Sequence, residues 1–155
     1  MKKVDDNTYL MDKNDIAEYL KNRPPLLMID EVYVEPGARA YTTKILDADM
    51  WYFDCHFPGN PMMPGVLQLE TLFNTSAMAI KILEGYRDKT TNVARIDSAY
   101  FRKHIIPNDK IEVMTEITRF RRGVANVRGE ITVSGEVCCE CSFILVVLDD
   151  VVKVN

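Results

Sequence analysis

The sequence predicts an α+β domain in which an antiparallel sheet curls around one long buried helix. Two observations predict it. The second half of the chain, from Thr91 to Leu148, is a succession of strand-like runs broken only by turn residues. The first half holds one long helical segment, Pro64 to about Glu84, in which Val66, Leu67, Leu69, Leu72, Phe73, Ala77, Ile80 and Leu83 wrap most of the circumference. A helix apolar nearly all round must be covered, and long strands with one apolar face can cover it. No repeat, low-complexity tract or linker divides the 155 residues, so residues 1–155 read as a single domain, with 1–11 as an N-terminal extension.

In chain order, Asp12 to Asn22 reads as a short amphipathic helix with Ile16, Tyr19 and Leu20 on one side, stopped by Pro24 and Pro25. Leu26 to Val34 and Arg39 to Ile45 read as a hairpin of strands turned by Pro36-Gly37. A loop with Pro58, Gly59, Pro61 and Pro64 leads into the long helix, where proline suits a first turn that needs no N–H. Thr91 to Lys103, Lys110 to Arg122, Val124 to Ser134 and Glu136 to Leu148 complete the sheet, with turns at Pro107-Asn108-Asp109, Gly123 and Gly135. Strand propensity does not fix their order.

A composition of 47% hydrophobic and 27% charged residues is that of a soluble globular chain. The net charge of −4 argues against a general affinity for nucleic acid or anionic membrane. The N-terminus lacks the apolar core of a secretory signal, and the longest strongly apolar run, Phe143 to Leu148, is too short to span a bilayer. A cytoplasmic setting follows, with the four cysteines reduced. Cys138, Cys139 and Cys141 fall in a strand, where Cys139 and Cys141 share a face with Val137, Phe143 and Leu145. That is core packing; no metal site is expected, because further ligands at suitable spacing are missing from the neighbourhood.

The chemistry concentrates between Asp54 and Lys81, where Glu70 is the one formally charged residue. A lone carboxylate on an apolar helix costs several kcal/mol unless it is paired, neutralised or wet. It is therefore either functional or placed at a solvated notch. Glu70 lies five residues after Gly65, roughly 7.5 Å along the axis, near free backbone N–H groups that Gly65 leaves approachable. His56 opens the loop His-Phe-Pro-Gly-Asn-Pro, a stiff turn able to hold an imidazole in place. A histidine, a carboxyl group and an amide nest this close together can serve acid–base chemistry beside a developing oxyanion.

The segment CHFPGNPMMPGVLQLETL resembles the signature H-F-P-G-x-P-x-x-P-G-V-L-x-x-E of the bacterial 3-hydroxyacyl-[acyl-carrier-protein] dehydratases of fatty-acid synthesis. NRPPLLMIDEV and FRKHIIPNDKIEV resemble two further segments of that family, in the same order, so the likeness runs from about Asp15 to Val147. The resemblance implies a hot-dog fold paired into homodimers, with further association into a hexamer, a trimer of dimers, left open. It implies that His56 and Glu70 are catalytic and meet across the dimer interface, with the Gly65 N–H holding the thioester carbonyl. Phe57, Val66, Phe73 and Asn74 would contact substrate. No metal or organic cofactor is implied; the substrate rides on the phosphopantetheine of acyl carrier protein.

Two departures touch the pocket. Cys55 stands where the family commonly has glycine, and Asn74 where it commonly has glutamine, on the same helical face as Glu70. An acidic carrier needs a basic docking patch, for which Arg102 and Lys103 and the cluster Arg119, Arg121 and Arg122 are candidates. His104 reads as a packed histidine within a strand. The competing readings are a thioesterase, with Glu70 activating water, and a non-catalytic acyl- or carrier-binding module with Phe73, Trp51 and methionines lining a tunnel.

Overall fold

In the computed structural model, which describes residues 1–149, one sheet of eight antiparallel strands wraps a single long helix. The chain starts with β1 (Lys2–Lys3) and β2 (Tyr9–Asp12), and β2 pairs with β3 (Glu31–Glu35) through Met11↔Val32. The segment 1–11 is thus not an appendage. Met11 is fully buried, so its strand contributes to the core. Residues 150–155 of the expected single domain lie outside the described residues.

The first helix, α1 (Lys13–Tyr19), starts on a capping box. The Asp12 carboxylate accepts from the N–H groups of Asn14 and Asp15 at 2.9 and 3.0 Å, and the Asp15 carboxylate accepts from the Asp12 N–H at 3.1 Å. It ends before the expected Asn22 because Leu20 is already extended. The Arg23 guanidinium then donates to the carbonyls of Ala17, Leu20 and Asn22 and ties down the exit. The strand expected from Leu26 begins only at Glu31. Leu27, Met28 and Ile29 are buried, but the Met28 N–H goes to the Asn74 side chain at 3.0 Å rather than to a neighbouring strand.

The hairpin of β3 and β4 (Arg39–Ile45) forms as expected, with Gly37 in the left-handed region at its turn. The long helix, α2, spans Gly65–Lys81, with Pro64 at its cap rather than inside the first turn. Four strands follow: β5 (Thr90–Phe101), β6 (Lys110–Arg121), β7 (Val124–Val133) and β8 (Glu136–Leu148). The spatial order is β1-β2-β3-β4-β6-β7-β8-β5, so β5 is one edge of the sheet. This is the hot-dog arrangement, with α2 as the filling. Helix and sheet approach closely at Gly129 on β7, where a Cβ would fall 2.9 Å from the Leu72 side chain.

Cys139, Cys141, Phe143 and Leu145 share the buried face of β8, as their alternation predicts. Cys138 is buried as well, which alternation alone does not give. Ile131 pairs with Cys139 and Thr132 with Val137, so Cys138 is the extra residue of a β-bulge. Burial pushes the thiols up, Cys139 to about 12 and Cys141 to about 11, which makes them poor nucleophiles.

The buried fraction of α2 is uneven. From Asn74 to Lys81 every residue is buried, whereas Gly65, Val66, Leu69, Glu70 and Phe73 are only partly covered. These five recur at helical spacing and form a stripe on the N-terminal half, with Val66 73% exposed. The expectation that the helix is enclosed throughout therefore holds only for its second half within one chain. The edge strand β5 is open too, with Val93, Ile96, Tyr100 and Phe101 exposed.

Candidate active site

The loop before α2 is closed by its own backbone. Phe57 and Asn60 exchange N–H···O bonds of 2.9 Å each, and the Met62 N–H returns to the His56 carbonyl at 2.8 Å. The imidazole is held from the same segment, its Nδ1 lying 2.9 Å from the Met62 carbonyl oxygen. A carbonyl can only accept, so Nδ1 carries a proton, and the tautomer this selects has its lone pair on Nε2. The Phe57 ring lies against the imidazole with centroids 4.0 Å apart, and it is otherwise half exposed.

Gln68, nearly fully buried, fastens the next residue of this loop by donating from Nε2 to the Met63 carbonyl at 3.1 Å. Its Oε1 is the one buried side-chain oxygen or nitrogen without a partner among the described residues. At the start of α2, the N–H groups of Gly65 and Val66 have no intrahelical acceptor. Gly65 is required there by contact: a Cβ would fall 2.9 Å from the Phe101 ring.

Glu70 sits a little over one turn further along α2, half buried. Its Oε1 accepts two amide N–H bonds, from Asn74 Nδ2 at 2.8 Å and from Asn22 Nδ2 at 2.9 Å. The orientation of the Asn74 amide is fixed because its Oδ1 accepts the Met28 N–H. Burial raises the Glu70 pKa above the usual carboxylate range, and the Asn74 hydrogen bond opposes that shift only in part. The group is thereby biased toward the neutral acid.

Within one chain these two residues do not share a cavity. His56 lines a space of about 480 Å³ with Met62, Met63, Gly65, Gln68 and Phe101 to His104. Glu70 lines another of about 280 Å³, with Asn22, Phe73, Asn74 and the start of β5 among its walls. Gly65 thus falls with His56, whereas Phe73 and Asn74 fall with Glu70.

Several expectations need correction or placing. His104 is exposed, in the loop after β5, and lines the His56 cavity rather than packing in a strand. The ladder with β8 runs on to Arg102, whose N–H donates to the Cys138 carbonyl at 2.7 Å, and the chain then leaves the sheet before His104. Arg102 and Lys103 also line the His56 cavity, and both are ion-paired, to Glu140 and Glu136 respectively. Arg119, Arg121 and Arg122 are exposed at the opposite end of β6, about 35 Å away along the strand at roughly 3.3 Å per residue. Phe73 and Trp51 do not line one tunnel, since Trp51 borders a separate cavity with Met28, Met50 and Met63.

Cys55 is exposed, its thiol directed at the Tyr52 carbonyl at 3.4 Å, beside the imidazole loop rather than in it. Among the described residues no three His, Cys, Asp or Glu side chains gather to hold a metal ion, and no helix is long and apolar enough to cross a membrane. Sequence reasoning missed Asn22 and Gln68. Asn22 precedes a proline-rich turn far from the helix in sequence, and nothing in its neighbours marks it. Gln68 is a polar residue in an apolar run, which was a usable signal.

The model of the FabA-like domain matches residues 20–142. The chain is 37% identical over 136 residues to the 3-hydroxyacyl-[acyl-carrier-protein] dehydratase FabZ of Chloroflexus aggregans, covering 87% of this chain and 94% of the relative. It is 37% identical over 141 residues to the FabZ dehydratase of Listeria welshimeri, covering 90% and 98%. Among solved structures it resembles the dehydratase heterocomplex ApeI:P of Xenorhabdus doucetiae, with a TM-score of 0.74 at 12% identity over 87% of this chain and 91% of that one. A hypothetical thioesterase with coenzyme A from Streptococcus pneumoniae aligns with a TM-score of 0.56 at 14% identity over 74% and 81%. At such identities the structural neighbours speak to the fold alone. The sequence matches go further: the chain belongs to the FabA-like family, among the 3-hydroxyacyl-[acyl-carrier-protein] dehydratases.

Proposed function

We propose that the protein dehydrates a (3R)-3-hydroxyacyl-[acyl-carrier-protein] to the trans-2-enoyl thioester in acyl-chain biosynthesis, with His56 as base and Glu70 as acid. The observation that carries this reading is how the two groups are held. Donation from Nδ1 to the Met62 carbonyl leaves Nε2 as the lone-pair nitrogen of a neutral imidazole, and burial raises the Glu70 pKa above the usual carboxylate range. Elimination of water needs both at once.

In the reaction, Nε2 of His56 removes a proton from C2 of the thioester. The electron pair of that C–H bond becomes the C2–C3 double bond as the C3–O bond breaks. Glu70 gives its proton to the departing hydroxyl, which leaves as water. The Gly65 N–H, unpartnered within the helix, holds the thioester oxygen as charge builds on it. The protonated imidazole then returns its proton to Glu70 through water. The steps are proton transfers between these side chains and the substrate, coupled to cleavage of the C3–O bond, so neither a metal nor an organic cofactor is needed.

The reading requires a second copy of the chain. His56 and Glu70 open onto different cavities, yet the partly open stripe of α2 carries Gly65 and Glu70 and the exposed edge strand β5 walls the Glu70 cavity. An uncovered edge of 12 residues with exposed apolar side chains is a surface for pairing. In a two-fold homodimer, His56 of one copy and Glu70 of the other face one substrate. Acyl carrier protein is the partner that brings it. A cytoplasmic setting suits both the carrier and the four free thiols.

Incubation with carrier-bound 3-hydroxyacyl chains of several lengths, followed by mass spectrometry, tests the proposal. Loss of one water, reversible on adding the enoyl product, is expected. Release of free thiol without an enoyl product would establish a thioesterase instead. An unchanged acyl group on a tightly bound carrier would establish a binding module.

A further inference from the structure

Asn22 reaches Glu70 from outside α2. It follows α1, in a segment that Arg23 pins by its bonds to the Ala17, Leu20 and Asn22 carbonyls. Its amide and that of Asn74 donate to one and the same oxygen, Oε1, at 2.9 and 2.8 Å. All three residues border one cavity. In a neutral carboxylic acid the two oxygens differ: the carbonyl oxygen has two lone pairs to offer, whereas the hydroxyl oxygen must present its proton. Two donors on Oε1 therefore select it as the carbonyl oxygen and leave the proton on Oε2.

We propose that Asn22 is a positioning residue for the acid: with Asn74 it clamps Oε1 of Glu70, so that Oε2 alone holds the proton delivered to the 3-hydroxyl of the substrate. The inference rests on the reading of Glu70 as the acid and adds to it which oxygen acts and what selects that oxygen. One donor would leave the carboxyl free to rotate about its terminal torsion, which is soft and two-fold. Two donors from separate elements, one on α2 and one on the α1 exit, remove that freedom. The step balances as before: the Oε2–H bond breaks, the proton joins the departing oxygen, and Glu70 is left as a carboxylate. Both amides are already oriented to receive the charge on Oε1, and this is where the clamp contributes most.

The same geometry fixes the sign of the pH effect. An amide donor favours the charged form, so losing one raises the pKa of Glu70 further. The acid acts while protonated, so one limb of the kcat profile follows this pKa, and removing Asn22 should move that limb to higher pH. The test is the pH dependence of kcat with a 3-hydroxyacyl carrier substrate for the wild-type protein and for Asn22→Ala and Asn22→Leu, beside Glu70→Gln. Asn22→Leu keeps the size and removes the donor without adding a charge, so it carries the test should the alanine variant fold poorly. For both variants we expect kcat to fall roughly 10- to 100-fold with KM nearly unchanged, and the limb set by Glu70 to move up by about one unit. A fall in kcat with the limb unmoved would mean a merely structural role and would overturn the proposal, as would wild-type kcat. If Glu70→Gln itself turns over normally, the assignment of the acid fails; if it is inactive while the Asn22 variants behave as wild type, only the clamp fails.

Discussion

His56 donates its Nδ1 proton to the carbonyl of Met62 at 2.9 Å, and Glu70 of the same chain opens onto a different cavity. The two residues that the chemistry needs together are thus each set in place within one chain but not brought together by it. Mixed dimers test whether a partner completes the site. His56→Ala and Glu70→Gln chains should each be inactive alone. Refolded together in equal amounts, random pairing makes half of the dimers mixed, and each mixed dimer regains one of its two sites, so activity should recover to about a quarter of wild type. Failure to recover, with mixed dimers demonstrated by native mass spectrometry, would place both groups in one chain.

The raised pKa of Glu70 has a consequence for stability. An unfolded glutamate titrates near about 4.3, and burial holds the folded one above that. A group whose folded pKa is raised contributes stability below the unfolded pKa and loses it as the pH rises through the folded value. Glu70→Gln should therefore leave the melting temperature nearly unchanged in acid and raise it at neutral and alkaline pH, while activity disappears. A variant that melts lower than wild type at pH 8 would contradict the burial assigned to this carboxyl.

Gly65 combines two demands that a double variant separates. A Cβ there would meet the Phe101 ring at 2.9 Å, and it would also crowd the N–H held out to the thioester oxygen. Gly65→Ala should lower kcat/KM by roughly 100-fold or more, the scale of losing one oxyanion donor. Phe101→Ala, added to it, should restore the melting temperature by removing the contact, since Phe101 is half exposed and has room to be trimmed. Activity should stay low. Recovery of both together would reduce the role of Gly65 to packing.

Much of this was legible in the sequence because local rules agreed with the fold. The turns at Gly37, Gly123 and Gly135, all in the left-handed region, fall where glycine was read as a breaker. The alternation from Cys139 to Leu145 gave the buried face of β8 correctly. What local pattern could not carry is partner choice. The Leu26 strand failed because Met28 takes a side-chain acceptor on α2. Cys138 is buried because a bulge shifts the register, and His104 is exposed because the chain leaves the sheet after Arg102, which the apolar residues around His104 do not disclose. For the candidate site, the motif pointed to His56, Gly65 and Glu70 by position alone, whereas the Asn22 contact spans 48 positions and exists only once the chain has folded. The covering of α2 was overstated for a related reason, since periodicity reports that a face will be buried but not whether a second copy buries it.

Close approach of sheet and helix at Gly129 supplies a test of the fold itself. The Leu72 side chain lies 2.9 Å from where a Cβ would stand, with Thr115 at 3.3 Å. Gly129→Val should cost about 1–3 kcal/mol, the usual penalty for overpacking a core. Gly129→Val with Leu72→Ala should recover part of that loss, as measured by denaturant unfolding; a recovery of nothing would show the contact to be unimportant.

The carrier surface can be located by comparing the two basic groups. Arg102 and Lys103 border the His56 cavity, whereas Arg119, Arg121 and Arg122 stand at the far end of β6. On the proposed mechanism, a phosphopantetheine arm that delivers its thioester to His56 would enter past the first pair. Both are held by Glu140 and Glu136 on β8, and such exposed pairs are weak enough for an acidic partner to compete for the cations. Arg102→Glu with Lys103→Glu should raise KM for carrier-bound substrate by roughly tenfold, the effect falling away at high salt. A short pantetheine substrate should be spared. Charge reversal at Arg119 and Arg121 should leave both substrates unaffected, and a larger effect there than at Arg102 would move the docking site to the other end of the sheet.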